Sequence, residues 1–136
     1  GNFVETVRPD CELPWPIARI MVACHSLALN KMGGSSSKDL DNIIGDPLEK
    51  AVLRNTGYQL VQNNALRAKE SSDGRPDTIL VLQRFRFSSK LKRMSVIVRE
   101  GSSTKTWVLS KGAPETIKIL LDPQCIPSNY DEISTE

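Results

Sequence analysis

The sequence predicts an α+β domain in which an antiparallel sheet has one face covered by helices. Two observations carry this reading. Residues 78–110 hold three β-type runs, Thr78–Phe87, Lys92–Arg99 and Lys105–Ser110, separated only by Ser88–Leu91 and Glu100–Thr104. Connections this short suit antiparallel neighbours and are too short for a parallel crossover, so the runs should form a meander. Helical patterns lie before and after this block instead of alternating with its strands, and no internal repeat is visible.

The first helix starts at Pro16, a residue suited to a first turn, and carries Ile17, Ile20, Met21, Cys24, Leu27 and Ala28 at helical spacing. It should stop near Asn30, ahead of the flexible run Gly33–Ser37. A second helix opens with three coincident signals: Asp46 as N-cap, Pro47 at the first position and Glu49 at the third, as in a capping box. It runs to about Thr56, with Gly57 placed to cap its end. Tyr58–Val61 reads as a short strand, and the polar, breaker-rich stretch Asn63–Asp77 as a surface loop with a helical turn at Ala65–Leu66. Within the meander, Met94, Val96 and Val98 share one face, and Trp107 and Leu109 oppose Thr106 and Val108. After Lys111–Glu115 a short apolar helix, Thr116–Leu121, closes at Asp122–Pro123.

Composition narrows the function classes. Eighteen basic and sixteen acidic residues leave a net charge of +2, which points to no strongly charged partner. Three widely spaced cysteines, Cys11, Cys24 and Cys125, argue against a disulfide framework and fit a reducing compartment. The single histidine, His25, follows Cys24 directly, and adjacent helical side chains diverge, so ordinary helix packing is expected there and no metal cluster. The most apolar stretch, Ile17–Leu29, is too short to span a bilayer, and the N-terminal residues do not resemble a signal peptide.

Three segments could carry chemistry. Phe85 and Phe87 alternate with Arg84 and Arg86, which places the two rings on one face and the two guanidinium groups on the other. They are either core residues of an ordinary strand or, at Phe87, a ring offered to a nucleobase beside the basic turn Lys90–Arg93. At Lys111–Gly112 a strand gives way to a helix start, where a lysine, a small residue and the positive end of a helix can favour an anion. Glu49 is explained as a capping-box carboxylate and could also accept hydrogen bonds from an adenine amino group. The Gly–Lys order of a Walker loop is reversed here, no GxGxxG is present, and one histidine without a nucleophile elbow makes a hydrolytic triad improbable. Binding is favoured over a self-contained active site.

Taken together, GDPLEKA at Gly45–Ala51, FSSKLKRMSV at Phe87–Val96 and KGAPE at Lys111–Glu115, in that order, resemble the nucleotide-binding (N) domain of P-type ATPases. Cys24–Leu27 looks like the helix that precedes the first of these motifs, and RFRFSSKLKRMS, KGAPETIK and the tail Pro127–Ile133 read like the endoplasmic-reticulum branch of the type V group. The resemblance implies a twisted antiparallel sheet flanked by helices, forming one domain over residues 1–136 with flexible loops near 33–39 and 63–77. It implies ATP as ligand, with Phe87 stacked on adenine, Lys111 in the depth of the pocket, Glu49 at the adenine edge, Lys92 near ribose or phosphates and Gly112 allowing close approach to the purine. Asp46 and Met94 complete the implied nucleotide-binding set. Mg²⁺ would arrive with the nucleotide and be held mainly by a separate phosphorylation domain. The implied partners are the phosphorylation and actuator domains of the same parent chain, with no nucleic acid, no membrane contact by this stretch and a monomeric state. The parent would be a multi-pass membrane protein, and this a cytosolic domain of it at the endoplasmic reticulum. Because DKTG, TGD and GDGxND motifs are all missing, these residues should bind nucleotide without forming an aspartyl phosphate.

Two other functions stay open at this level. One is a single-stranded nucleic-acid binder using the Arg84–Arg93 strand and turn, although glycine is missing where an RNP1 pattern needs it. The other is a purely structural interaction domain.

Overall fold

The computed structural model describes residues 13–30, 42–72 and 74–135. In chain order these form α1 (Trp15–Ala23), β1 (Ala28–Leu29), β2 (Ile43–Ile44), α2 (Pro47–Asn55), β3 (Tyr58–Gln62), β4 (Ala65–Ala68), β5 (Thr78–Ser88), β6 (Arg93–Glu100), β7 (Thr106–Gly112), α3 (Pro114–Leu120) and α4 (Tyr130–Ser134), with a 3₁₀ turn at Pro123–Cys125. The five long strands pair antiparallel in the order β3-β4-β5-β6-β7, the expected meander enlarged by two strands. A separate two-stranded ribbon joins β1 to β2, pairing Ala28 with Ile44 and Leu29 with Ile43.

One sheet face is apolar and buried. Val96 stands opposite Leu109 and Val98 opposite Trp107, and Met94, Val96, Val98 and Leu109 pack with Leu60, Leu66 and Ile79 beneath the helices. Val22 and Ala23 of α1 and Leu53 of α2 complete this core from the helical side. Alternation explains the sheet's contribution, since every second residue of β6 is buried. The amphipathic spacing of α1 and α2 explains the rest. Arg19 anchors α1 by two contacts, an ion pair to Glu100 at 3.3 Å and its guanidinium lying 4.2 Å from the centre of the Trp107 ring.

Three expectations need correction. The first helix ends at Ala23, well short of Asn30: Cys24 leaves helical geometry, and Ala28–Leu29 turns into a strand because Ile43–Ile44 is there to pair with it. Asn63–Asp77 is not all loop. Ala65–Ala68 is a strand, its Leu66 fully buried between β3 and β5, and the anticipated helical turn is absent. The alternation along β5 is broken twice, by register shifts between Val81 and Gln83 and between Phe85 and Ser88, so a strict two-residue count fails for Arg84, Phe85 and Phe87. Finally, of the two readings left open for the phenylalanines the core one falls, as they are 52% and 62% exposed. The Gly33–Ser37 run and Cys11 lie outside the described residues.

Candidate functional site

The start of α2 meets the exit of α1 above the ends of β6 and β7. Asp46 caps α2 as its sequence position predicts, its side chain accepting the N–H groups of Leu48 at 2.8 Å and Glu49 at 3.1 Å. The glutamate half of the capping box does not form. Glu49 turns toward the sheet, where Oε1 accepts a hydrogen bond from Lys111 Nζ at 2.6 Å and Oε2 accepts one from the Ser26 backbone N–H at 3.1 Å. A buried-facing cation and an otherwise unpaired N–H hold a carboxylate more strongly than its own helix terminus does.

Lys111 stands on β7 directly opposite Met94 of β6, and the Ser26 hydroxyl lies 3.9 Å from the Met94 sulfur. Three site residues proposed from sequence, Glu49, Lys111 and Met94, thus come together although they sit in separate motifs. Beside them a cavity of about 270 Å³ opens between α1 and α2, lined by Ile20, Met21, Leu48 and Val52 with Cys24, His25, Glu49 and Lys111. Its lining is almost wholly apolar apart from that charged pair and His25, the composition expected of a small-molecule site with a few convergent polar groups. A larger cavity of about 350 Å³ beside Tyr58 and Arg75 gathers none of the expected site residues.

The charges are tuned by this packing. Partial burial pushes the Glu49 carboxyl up, but hydrogen bonds from Lys111 and Ser26 and the lysine charge outweigh it and hold the group below its ordinary value. Burial, reinforced by the nearby Arg84 charge, lowers His25 from 6.5 to about 4, so the imidazole is neutral at pH 7. Burial raises the Cys24 thiol, which makes it an inert core group.

The remaining expected residues fall around this centre. Phe87 does not line the cavity. It lies within the second irregularity of β5, beside Ser88, which pairs with Arg93, and Arg93 in turn pairs with Gly112 of β7. Its exposed ring therefore stands at the same end of the sheet as Lys111. Lys92 is exposed, adopts a positive φ of 51° in the β5–β6 turn, and has its ammonium 3.7 Å from Glu115. Gly112 has a structural reason of its own: a Cβ there would sit 2.5 Å from the Lys92 carbonyl oxygen and 2.8 Å from Arg93 Cβ. The close approach that this glycine permits is to its own chain. Asp46 is occupied at the helix cap and does not reach the cavity lining.

Three contributors escaped sequence reasoning. Ser26 acts through its backbone N–H, which no side-chain pattern announces. Arg84, expected on a solvated face, is half-buried and donates to the carbonyls of His25, Ala23 (3.4 Å) and Asn63 (3.3 Å). His25 sits in the turn after α1 and not on the helix, with Nδ1 accepting the Leu27 N–H at 3.1 Å. For His25 and Ser26 the signal was the family-like segment Cys24–Leu27, which marked the place but not the contacts.

Residues 16–122 match the family described as P-type ATPase, cytoplasmic domain N. The chain belongs to that family. This N domain is 36% identical to the endoplasmic reticulum transmembrane helix translocase of Schizosaccharomyces pombe, over 83% of the chain and 9% of that protein. It is 33% identical to the probable cation-transporting ATPase 13A4 of Gallus gallus, over 96% of the chain and 12% of that protein. Mouse polyamine-transporting ATPase 13A2 is 29% identical over 98% of the chain and 12% of its own length. The chain thus spans about a tenth of the length of these curated relatives. Among the described residues of the N domain, no helix is long and apolar enough to cross a membrane.

Proposed function

We propose that this N domain binds the adenosine end of ATP between the exposed Phe87 ring and the Glu49–Lys111 pair, and presents the triphosphate to a separate phosphorylation domain of a longer P-type ATPase. The observation that carries the reading is that pair: a carboxylate and an ammonium, 62 residues apart in sequence, meet at 2.6 Å beside an apolar cavity large enough for a purine. An apolar slot with a fixed donor and a fixed acceptor suits a flat heterocycle whose rim carries both hydrogen-bonding types.

The residues divide the work. Phe87 offers a face for stacking, Glu49 an acceptor for an exocyclic amine, and Lys111 a donor whose charge the carboxylate keeps in place. Lys92, at the exposed end of the turn, reaches toward ribose or phosphates. Met94 stands beside Lys111 on the neighbouring strand, whereas Asp46 and Gly112 hold α2 and the β6–β7 edge in position. Mg²⁺ would come with the triphosphate and be completed by the phosphorylation domain. Catalysis in the parent then rests on positioning and charge neutralisation at an aspartate elsewhere in the chain.

The resemblance to the helix translocases and the 13A ATPases supports a parent in the endoplasmic-reticulum branch of the type V group, with this stretch on the cytosolic side and hydrolysis driving transport or transmembrane-helix dislocation. The nucleic-acid alternative loses a main contact, because the half-buried Arg84 donates to three carbonyl oxygens of its own chain.

An ATP titration followed by backbone NMR tests the site. Without a second domain to close over the phosphates the expected Kd is about 0.1–1 mM, or about −4 to −5.5 kcal/mol. Phe87, Lys111 and Glu49 should shift together, and Phe87→Ala should weaken binding by about 1–3 kcal/mol. Shifts confined to remote loops would overturn the proposal, and no binding in a folded sample would favour a purely structural role.

A further inference from the structure

His25 is the only histidine in the chain and is 2% exposed. Its Nδ1 accepts the Leu27 N–H at 3.1 Å, which fixes the neutral ring in the tautomer that carries its proton on Nε2. Nε2 is buried and makes no hydrogen bond of good geometry among the described residues, the Val22 carbonyl acting only weakly on the ring. A buried donor without a good acceptor is unfavourable, and buried polar groups in folded chains nearly always find a partner. His25 is also among the residues that line the cavity beside Glu49 and Lys111. Its orientation is firmly set. The Leu27 N–H fixes one edge of the ring, and the Arg84 guanidinium fixes the backbone by donating to the His25 carbonyl oxygen.

We infer that His25 is a specificity-determining residue of the nucleotide site, its Nε2–H held in the cavity wall to donate a hydrogen bond to a ring nitrogen of the purine. This rests on the proposal that the cavity takes the base of ATP. The donor would add a third fixed point to the two supplied by Glu49 and Lys111: an acceptor for the exocyclic amine, a cationic donor, and now a neutral donor for an unprotonated ring nitrogen. Nε2 lies inside the wall and not at its surface, so the base reaches it as the side chains of the wall yield. A neutral donor suits this place. An imidazolium would set a third positive charge beside Lys111 and Arg84, whereas the neutral ring selects by hydrogen-bond pattern alone.

The test uses the wild-type chain and ATP, and the single histidine makes the imidazole signals self-assigned. In a long-range ¹H–¹⁵N spectrum, Nε2 should show the protonated-nitrogen signature in the free protein and move on addition of ATP, in step with the backbone signals of Glu49 and Lys111. Among 1-deaza-, 3-deaza- and 7-deaza-ATP, one analogue should bind the wild type about three- to tenfold more weakly than ATP, the effect of one lost hydrogen bond. Against His25→Phe that analogue and ATP should bind alike. If ATP moves Glu49, Lys111 and Phe87 while the Nε2 signal stays fixed and every deaza analogue binds like ATP, the histidine assignment is overturned and the nucleotide site stands. If ATP moves none of these residues, the site proposal fails and the histidine assignment with it. The wild-type spectra and the analogue series decide the question even if His25→Phe does not fold.

Discussion

Lowering the pH should destabilise this domain in a window set by His25. The ring is neutral when folded, and burial together with the Arg84 and Lys111 charges moves its pKa from 6.5 down to about 4, against the opposing pull of Glu49 and of a weak hydrogen bond to the Val22 backbone. Between these values the unfolded chain binds a proton that the folded chain refuses, so stability rises with pH across the window. The full contribution is present above about pH 6.5, declines as the pH falls, and is exhausted below about 4. At about 1.4 kcal/mol per unit of displacement, the whole effect is about 3 kcal/mol, and about 2 kcal/mol is lost by pH 5. Urea unfolding from pH 7.5 to 4.5 measures it, with His25→Gln as the control that removes the titrating ring but keeps the carboxylates. The wild type should lose about 2.5 kcal/mol more than the variant over the range. Titrating the single imidazole by NMR gives the folded value directly. Parallel stability profiles, or a folded ring titrating near 6.5, would refute the argument, because either means that the imidazole is not desolvated.

Three further outcomes follow from the same geometry. In a double-mutant cycle, Glu49→Gln and Lys111→Met should show a coupling of about 1 kcal/mol in unfolding free energy, since the pair is short but its lysine half remains partly solvated; a coupling near zero would mean that the two groups are independent. Gly112→Ala should destabilise by about 1–3 kcal/mol, because the new methyl group meets backbone of the β5–β6 turn and not a flexible side chain; an unchanged urea midpoint would show that the turn can move aside. Asp46→Ala should lower stability by about 1 kcal/mol and shorten α2 at its start, detectable as faster amide exchange at Leu48 and Glu49, whereas unaltered exchange there would argue against the cap.

Features set by local chemistry were legible in the sequence. Asp46-Pro47 announces a helix start whatever surrounds it, short polar breaks dictate hairpins, and the alternation of Met94, Val96 and Val98 marks a buried face. What depends on a distant partner was not. Ala65–Ala68 is a weak strand by composition and exists because β3 and β5 pair with it on either side. α1 stops early for a similar reason, as Ala28 and Leu29 gain more from Ile43 and Ile44 than from another helical turn. Glu49 had a sufficient local explanation that the tertiary structure overrode with Lys111 and Ser26. Arg84 was misplaced because an irregularity just before it in β5 shifts the register between Val81 and Gln83. Of the site, the motifs carrying Glu49, Met94 and Lys111 could be found from their resemblance to a family, and so could Cys24–Leu27, but as part of a helix and not as the turn that binds them together.

The meander order of the sheet also bears on how the domain assembles. Every neighbouring pair of long strands is adjacent in sequence, so the sheet can zip up through local hairpins, the kind of topology that closes quickly. The helical layer closes over it through contacts of far longer range: Glu49 to Lys111 across 62 residues, and the Cys24 thiol to the carbonyls of Met94 and Leu109 across 70 and 85. Those are the contacts that shape the cavity. A partly folded chain can therefore own a complete sheet and still have no pocket, and occupancy of the pocket becomes a readout that the last, most entropically demanding docking step has taken place.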